Sequence, residues 1–221
     1  MRGKFITFEG GEGAGKSTQA RRLCERLQAL GIGVVLTREP GGSTGAEIIR
    51  HVLLSGAAKP LGAEVEAVLF AAARGDHVDC TIRPALERGQ WVVSDRFLDS
   101  TRAYQGVLGA VDARLLRGLE RVTVGDVMPD LTVILDVAPA IGLARAAARR
   151  GNAKADRFET EDAAFHERLQ AAYHAIAAGE PDRCIVIAGD GGPDQTAVAV
   201  WNAVCARLQP AQPVGQGRAV S

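Results

Sequence analysis

Cysteine is scarce and scattered in this chain of 221 residues. There are four, Cys24, Cys80, Cys184 and Cys205, none at C-x-x-C spacing and each read as part of an apolar segment. That excludes a disulfide framework or zinc knuckle and points to reduced core thiols in a cytoplasmic protein. Excess charge is missing as well, since 26 basic residues balance 26 acidic ones. No global field therefore draws the chain to nucleic acid or to a membrane surface, and any anion site has to be built locally. No apolar run approaches the ~20 residues of a membrane span. The run after Lys4 ends at Glu9, too soon for a secretory signal. There is no internal repeat. The one low-complexity stretch, 209–221, is rich in Gln, Pro and Gly and is expected to be a loosely ordered tail. With 47% hydrophobic residues, residues 1–208 can bury a sizeable core and read as a single domain.

What the chain does have is a phosphate-cradling loop. Gly10-Gly11-Glu12-Gly13-Ala14-Gly15-Lys16-Ser17 fits G-x-x-x-x-G-K-[ST]. Phe5 to Phe8 before it read as a short buried strand. Ala20, Leu23, Cys24, Leu27 and Leu30 after it recur at helical spacing, with Gly31 where a helix ends. Strand, glycine loop and helix are the geometry the chemistry needs. Glycines let backbone N–H groups turn onto phosphate oxygens, and the helix N-terminus adds positive potential. Residues 10–17, with Thr18, are thus the candidate ATP-binding segment; Lys16 reaches the outer phosphates and Ser17 ligates Mg²⁺.

The rest of the chain alternates. Strands are predicted at Ile32–Leu36, Trp91–Val93, Leu131–Leu135 and Cys184–Ile187. Helices are predicted from Thr44 (a capping box with Glu47, inner face Ile48, Ile49, Val52 and Leu53), over Glu64–Ala73, and over His77–Arg88 with a break or bend at Pro84. Further helices follow at Asp99–Gln105, after a cap at Asp112, from Pro139 to about Arg149, around Phe165 to Ile176, and over Pro193–Leu208 with Val198, Trp201, Cys205 and Leu208 inward. Five apolar strands with helices between them predict an α/β, three-layer P-loop NTPase fold: a five-stranded parallel sheet covered by helices on both faces. Ligands in such sheets bind beyond the carboxyl ends of the strands. The informative polar residues sit there. Asp95 ends an apolar strand, the place for a second Mg²⁺-side carboxylate. Arg38 and Arg96 each follow a strand and suit bidentate clamping of a second, acceptor phosphate. Phe70 and Arg74 lie one helical turn apart, an aromatic face and a hydrogen-bonding fork for a nucleobase. The stretch 145–160 is basic (Arg145, Arg149, Arg150, Lys154, Arg157) and reads either as a solvated connection or as a lid whose arginines neutralise a phosphoryl group in flight.

Taken together, Phe5–Gly10 with the loop, Thr37-Arg38-Glu39-Pro40-Gly41-Gly42, Leu69–Arg74, Ile82–Leu86, Ser94–Phe97, Ser100–Gly106, Pro129–Thr132 and Leu135–Val137 resemble the bacterial-type thymidylate kinases over roughly residues 3–208. The resemblance implies phosphorylation of dTMP to dTDP by Mg·ATP in a homodimer. It implies that Arg38 and Arg96 hold the dTMP phosphate and that Phe70 stacks on thymine. Arg74 and Gln105 would hydrogen-bond the base with Ser100 or Thr101 nearby, Tyr104 would crowd the sugar C2′, and Glu12 would contact the 3′-hydroxyl. Because Gly11 to Ala14 include no arginine, the resemblance is to the lid-arginine class. Catalysis then falls to Lys16, Arg96 and a lid residue, Arg149 first, with Arg150 and Arg157 beside it. Phe97 departs from the family's more usual Tyr or His, and the lid is a few residues longer than typical. Two competing functions stand next to this one. One is a neighbouring nucleoside or nucleotide kinase; a deoxynucleoside kinase, whose acceptor is a hydroxyl, would need a carboxylate base near it. A regulatory P-loop ATPase would hydrolyse ATP with no acceptor at all.

Overall fold

Strands β1 (Phe5–Glu9), β2 (Val34–Arg38), β3 (Trp91–Asp95), β4 (Leu131–Asp136) and β5 (Cys184–Ala188) lie parallel in the order β2-β3-β1-β4-β5. The computed structural model describes residues 2–151 and 158–210. β1 is buried along its whole length and β4 nearly so, as an apolar strand covered on both faces must be. Ile6 and Phe8 pack on one face with Leu23 and Leu27 of α1 (Lys16–Ala29) and with Val200 and Val204 of α9 (Pro193–Leu208). Phe5 packs on the other with Val92, Phe97, Ile82 and Leu86. The order reverses on either side of β1, so the crevice beyond its carboxyl end is where a ligand is expected.

Several element boundaries correct the sequence reading. β2 begins two residues late. The Ile32 N–H still closes the end of α1 on Leu27 O, with Gly31 in the left-handed region, and pairing starts only when Gly33 O accepts from Trp91. Helix α2 (Thr44–Leu54) is not capped by Thr44. A free N–H of its first turn is met from another helix: Asp76 Oδ2 of α3 (Ala63–His77) accepts from Ala46 N at 3.1 Å, and also from the Ser43 hydroxyl at 2.5 Å. Glu47 accepts from Gly42 N instead, at 3.0 Å. Because α2 packs chiefly on α3, only part of its apolar arc is covered. Ala46 and Leu53 are buried, whereas Ile48 is 67% exposed and Val52 39%.

α3 runs on to His77, past the predicted end. It continues through a π-helical stretch, Val78–Ile82, into α4 (Arg83–Glu87), whose second residue is Pro84. The wider turn precedes the proline, so Pro84 falls in a first turn where its missing N–H is not needed. α5 (Leu98–Thr101) likewise passes into a π-helical stretch, Arg102–Leu108. Helices α6 (Ala113–Thr123), α7 (Pro139–Arg150) and α8 (Ala163–Gly179) follow, α6 capped by Asp112 and α8 by Asp162. In α9 the inward residues are Thr196, Val200, Ala203 and Val204, with Trp201 and Leu208 at the margin of the core, while Val198 is 55% exposed. An alanine-rich helix offers little contrast between its faces. Cys80 is exposed and so is not a core thiol; Cys24 and Cys184 are buried and Cys205 partly so.

Candidate active site

The loop after β1 folds back on the sheet and holds its own lysine. Lys16 is buried, and its Nζ donates to Gly10 O at 3.0 Å and Gly11 O at 2.7 Å. Burial and the neighbouring Arg96 pull its ammonium down to about 8, against the pull of Glu12, Asp95 and Glu9, so it stays cationic at neutral pH. Ser17 Oγ donates to Asp95 Oδ2, joining the start of α1 to the tip of β3. The sequence-predicted Mg²⁺ pair is therefore in contact.

Arg96 follows Asp95 with φ of +70°, a conformation uncommon for a side chain of this size. It is held there by Arg96 N donating to Phe8 O at 2.9 Å and by Ser94 Oγ donating to Arg96 O at 2.8 Å. Its guanidinium donates to Glu12 Oε1 at 2.6 Å, Ser100 Oγ at 3.1 Å and Tyr173 OH at 3.2 Å, and it lies over the Tyr104 ring. Tyr104 OH also donates to Glu12 Oε1, at 3.1 Å. Burial alone would raise the Glu12 carboxyl, but Arg96, Lys16, Tyr104 and Arg149 outweigh it and hold the group at about 2. Backbone strain at a charged residue fixed from so many sides is typical of a functional site.

Glu12, Arg96, Ser100, Thr101, Tyr104 and Gln105 line one cleft of about 640 Å³ with Phe70 and Arg74. Arg74 is almost wholly buried; its Nη2 donates to Thr101 Oγ1 at 3.0 Å and to Phe97 O at 3.2 Å. Phe97 sits edge-on against Phe5 under that guanidinium, a core role that needs no hydroxyl. Glu39, Pro40, Arg50, Leu54 and Phe158 complete the walls. Arg38 is not among them: at the tip of β2 it pairs with Glu47 at 3.0 Å and stays 56% exposed.

A second cleft, of about 1020 Å³, opens on the other side of the loop, lined by Gly13, Ala14, Gly15 and Thr18 together with Arg145, Arg149 and the segment 189–193. Arg145 braces that segment, donating to Gly189 O at 2.8 Å and Asp190 O at 3.1 Å. Arg150 turns away to Glu159. Arg157 lies outside the described residues, as do Lys154 and residues 211–221 of the tail.

Three buried residues had no role in the sequence reading. Glu9 Oε1 accepts from Phe97 N at 2.8 Å and Ser100 N at 3.2 Å, while Oε2 accepts from Ser100 Oγ at 2.6 Å and Tyr173 OH at 3.1 Å. It thereby caps α5 from below. Burial and the Asp99 carboxylate push it up to about 7, against Arg96, Ser100 and Phe97. An acid ending a buried strand one residue before the loop is the signal that could have drawn attention to it. Glu39 and His77, bonded at 3.0 Å, stand behind Arg74. They lie 38 residues apart in the chain, and no local pattern links them.

Residues 8–196 match the family model described as thymidylate kinase. The chain is 63% identical to the thymidylate kinase of Nitrobacter winogradskyi, over 92% of this chain and 89% of that protein. It is 60% identical to the thymidylate kinase of a Bradyrhizobium species (strain BTAi1), over 94% and 92%. Its structure resembles that of the thymidylate kinase from Ehrlichia chaffeensis with a TM-score of 0.73 at 34% identity, covering 92% of this chain and 99% of that one.

Proposed function

The chain belongs to the thymidylate kinase family and phosphorylates dTMP with ATP, and on that premise we propose where each part of the reaction is held. The observation that carries the assignment is that one loop serves both clefts. Gly13 to Gly15 line the larger cleft, which takes ATP, and Glu12 lines the smaller one, where it fixes Arg96 at 2.6 Å for the dTMP phosphate. Donor and acceptor phosphates are then brought together across a single backbone turn.

In the smaller cleft Phe70 stacks on thymine and Arg74 reads the base edge with Gln105 and Thr101, with Ser100 bonded to Arg96. Tyr104, fixed by Glu12 and Arg96, closes the space beside the sugar C2′, and Glu12 meets the 3′-hydroxyl. Arg38, at the strand tip paired in register with Asp95, would assist Arg96 at the phosphate by leaving its ion pair with Glu47.

The Ser17 hydroxyl and the Asp95 carboxylate, two hard oxygen donors already in contact, fit Mg²⁺ and would hold it. Among the described residues no group of three or more His, Cys, Asp or Glu offers an alternative, and Mg²⁺ needs only one or two protein ligands beside phosphate and water. Held there together with ATP, it would supply positive charge against the phosphate oxygens. The acceptor oxygen belongs to a phosphate ionised at neutral pH, so no residue has to take a proton. Lys16, preset on two loop carbonyls, and Arg149, in the same cleft as the loop, supply positive charge to the group in transfer.

We place the enzyme in the cytoplasm as a homodimer: no described helix is long and apolar enough to cross a membrane, and the exposed side chains Ile48 and Val52 of α2 and Val65 and Val68 of α3 form apolar surface for a second subunit. The chain through residue 208 acts as one kinase domain. With Mg·ATP and dTMP the protein should yield dTDP and ADP in equal amounts, followed by phosphorus NMR. Lys16→Ala should slow this more than about tenfold, at least ~1.4 kcal/mol of barrier, with melting unchanged. ADP without dTDP would refute the assignment.

A further inference from the structure

Behind Arg74 runs a buried chain of hydrogen bonds that ends on a histidine outside the cleft. Arg74 Nε donates to Glu39 Oε2 at 2.8 Å, and the other carboxylate oxygen, Oε1, lies 3.0 Å from His77 Nδ1. His77 Nε2 lies 2.7 Å from Thr37 Oγ1. His77 is fully buried, and Glu39 and Arg74 nearly so. Space for the last link depends on Gly42, since a Cβ there would sit 2.4 Å from both His77 Nε2 and Thr37 Oγ1.

A neutral imidazole carries one donor and one acceptor, and this site supplies the matching pair. With the ring proton on Nδ1, that atom donates to the carboxylate and Nε2 accepts from the threonine hydroxyl. Held at one oxygen only, Glu39 could rotate about its terminal bond; held at both, its Oε2 is aimed at Arg74 Nε. Arg74 is then pinned on two edges, by Glu39 at Nε and by Thr101 and Phe97 at Nη2. A guanidinium has donors and no acceptor, so a fork so constrained keeps a donor at the base edge and cannot move aside to relieve its clash with an amino group.

We propose that His77 is a positioning residue for base selection: through Glu39 it holds the Arg74 fork in place at the base edge, favouring a pyrimidine with a 4-carbonyl over one with a 4-amino group. This rests on the reading of Arg74 as a base contact. A site with fixed donors rejects a mismatched partner because buried polar groups are left unpaired, and loosening it erodes that rejection.

The test is the ratio of kcat/KM for dTMP to that for dCMP, with ATP held constant. His77→Phe, which keeps the volume and removes both bonds, should lower the ratio about tenfold or more. The loss should arise chiefly through a higher KM for dTMP, with KM for ATP within about twofold of wild type. His77→Asn, whose amide can still donate to Glu39, should recover most of the ratio. Thr37→Val should lower it about two- to threefold and serves if the phenylalanine variant does not fold. An unchanged ratio in folded His77→Phe, or in Thr37→Val where that variant fails, overturns the proposal. Arg74→Ala separates the two levels. If it collapses the ratio while the His77 and Thr37 variants do not, only the role of His77 fails. If it leaves the ratio intact, the reading of Arg74 fails with it.

Discussion

Gly13 of the phosphate loop and Gly142 of α7 meet backbone to backbone. A Cβ on Gly13 would lie 1.8 Å from Gly142 O, and one on Gly142 would lie 2.3 Å from Glu12 O. Gly13 also has φ of +66°, which only glycine adopts freely. The contact sets α7, and with it Arg145 and Arg149, in register with the glycine loop after β1.

Gly142→Ala should therefore push α7 off the loop. Overpacking of backbone against backbone costs about 1–3 kcal/mol, to be read as a lower melting temperature. KM for ATP should rise together with the fall in melting temperature, while KM for dTMP changes little. Normal melting and normal ATP affinity would show that the two backbones part without consequence.

A second prediction concerns pH. In the folded protein Glu9 titrates near 7 against an ordinary value of 4.5, so across that interval the folded state keeps a proton the unfolded chain has lost. The contribution of this group to stability is therefore greatest below 4.5 and falls as the pH rises towards 7. Glu12, held near 2, changes its contribution only below its ordinary 4.5 and does not interfere. In Glu9→Gln this slope should vanish. Urea unfolding of both proteins at several pH values should show the wild type losing ground to the variant from pH 4.5 to 7. A constant difference would mean that Glu9 stays ionised among Asp99, Arg96, Ser100 and Tyr173.

The two adjacent arginines at the end of α7 should separate in function. Arg149 lines the cleft of the phosphate loop and reaches Glu159 only at 3.9 Å, whereas Arg150 is held close against Glu159. Arg149→Ala should lower kcat by an order of magnitude or more with little change in either KM, as for a group that acts in the transition state. Arg150→Ala should fall short of that. Steady-state kinetics with both substrates decides, and the reverse ranking would move the catalytic charge to Arg150.

The core of this architecture was legible because it is written in short range. The strand, glycine loop and helix around Lys16 and the strand tip at Asp95 are local patterns. So is the i, i+4 pair of Phe70 and Arg74. What escaped was whatever depends on a second element. Asp76 caps α2 from α3, a bond with no trace in the sequence near Thr44. Glu9 and Glu39 are acids whose partners, Ser100 and Arg74, lie far along the chain. Ile48, Val52 and Val198 are apolar without being inward, because periodicity reveals an apolar arc but not how much of it a neighbour covers. Arg38 shows the converse, a residue placed at the right strand end whose side chain is engaged by Glu47.

The central claim is that the cleft of Phe70, Arg74, Arg96 and Tyr104 is built for a pyrimidine deoxynucleoside monophosphate. The most direct measurement is ATP consumption, coupled to an optical readout, against a panel of dTMP, dCMP, UMP, GMP and no acceptor. The proposed cleft predicts a strong preference for dTMP, poor use of dCMP, near silence with UMP from the proposed role of Tyr104 against a 2′-hydroxyl, and no turnover without an acceptor. Equal rates with UMP or GMP, or steady hydrolysis with no acceptor present, would contradict it.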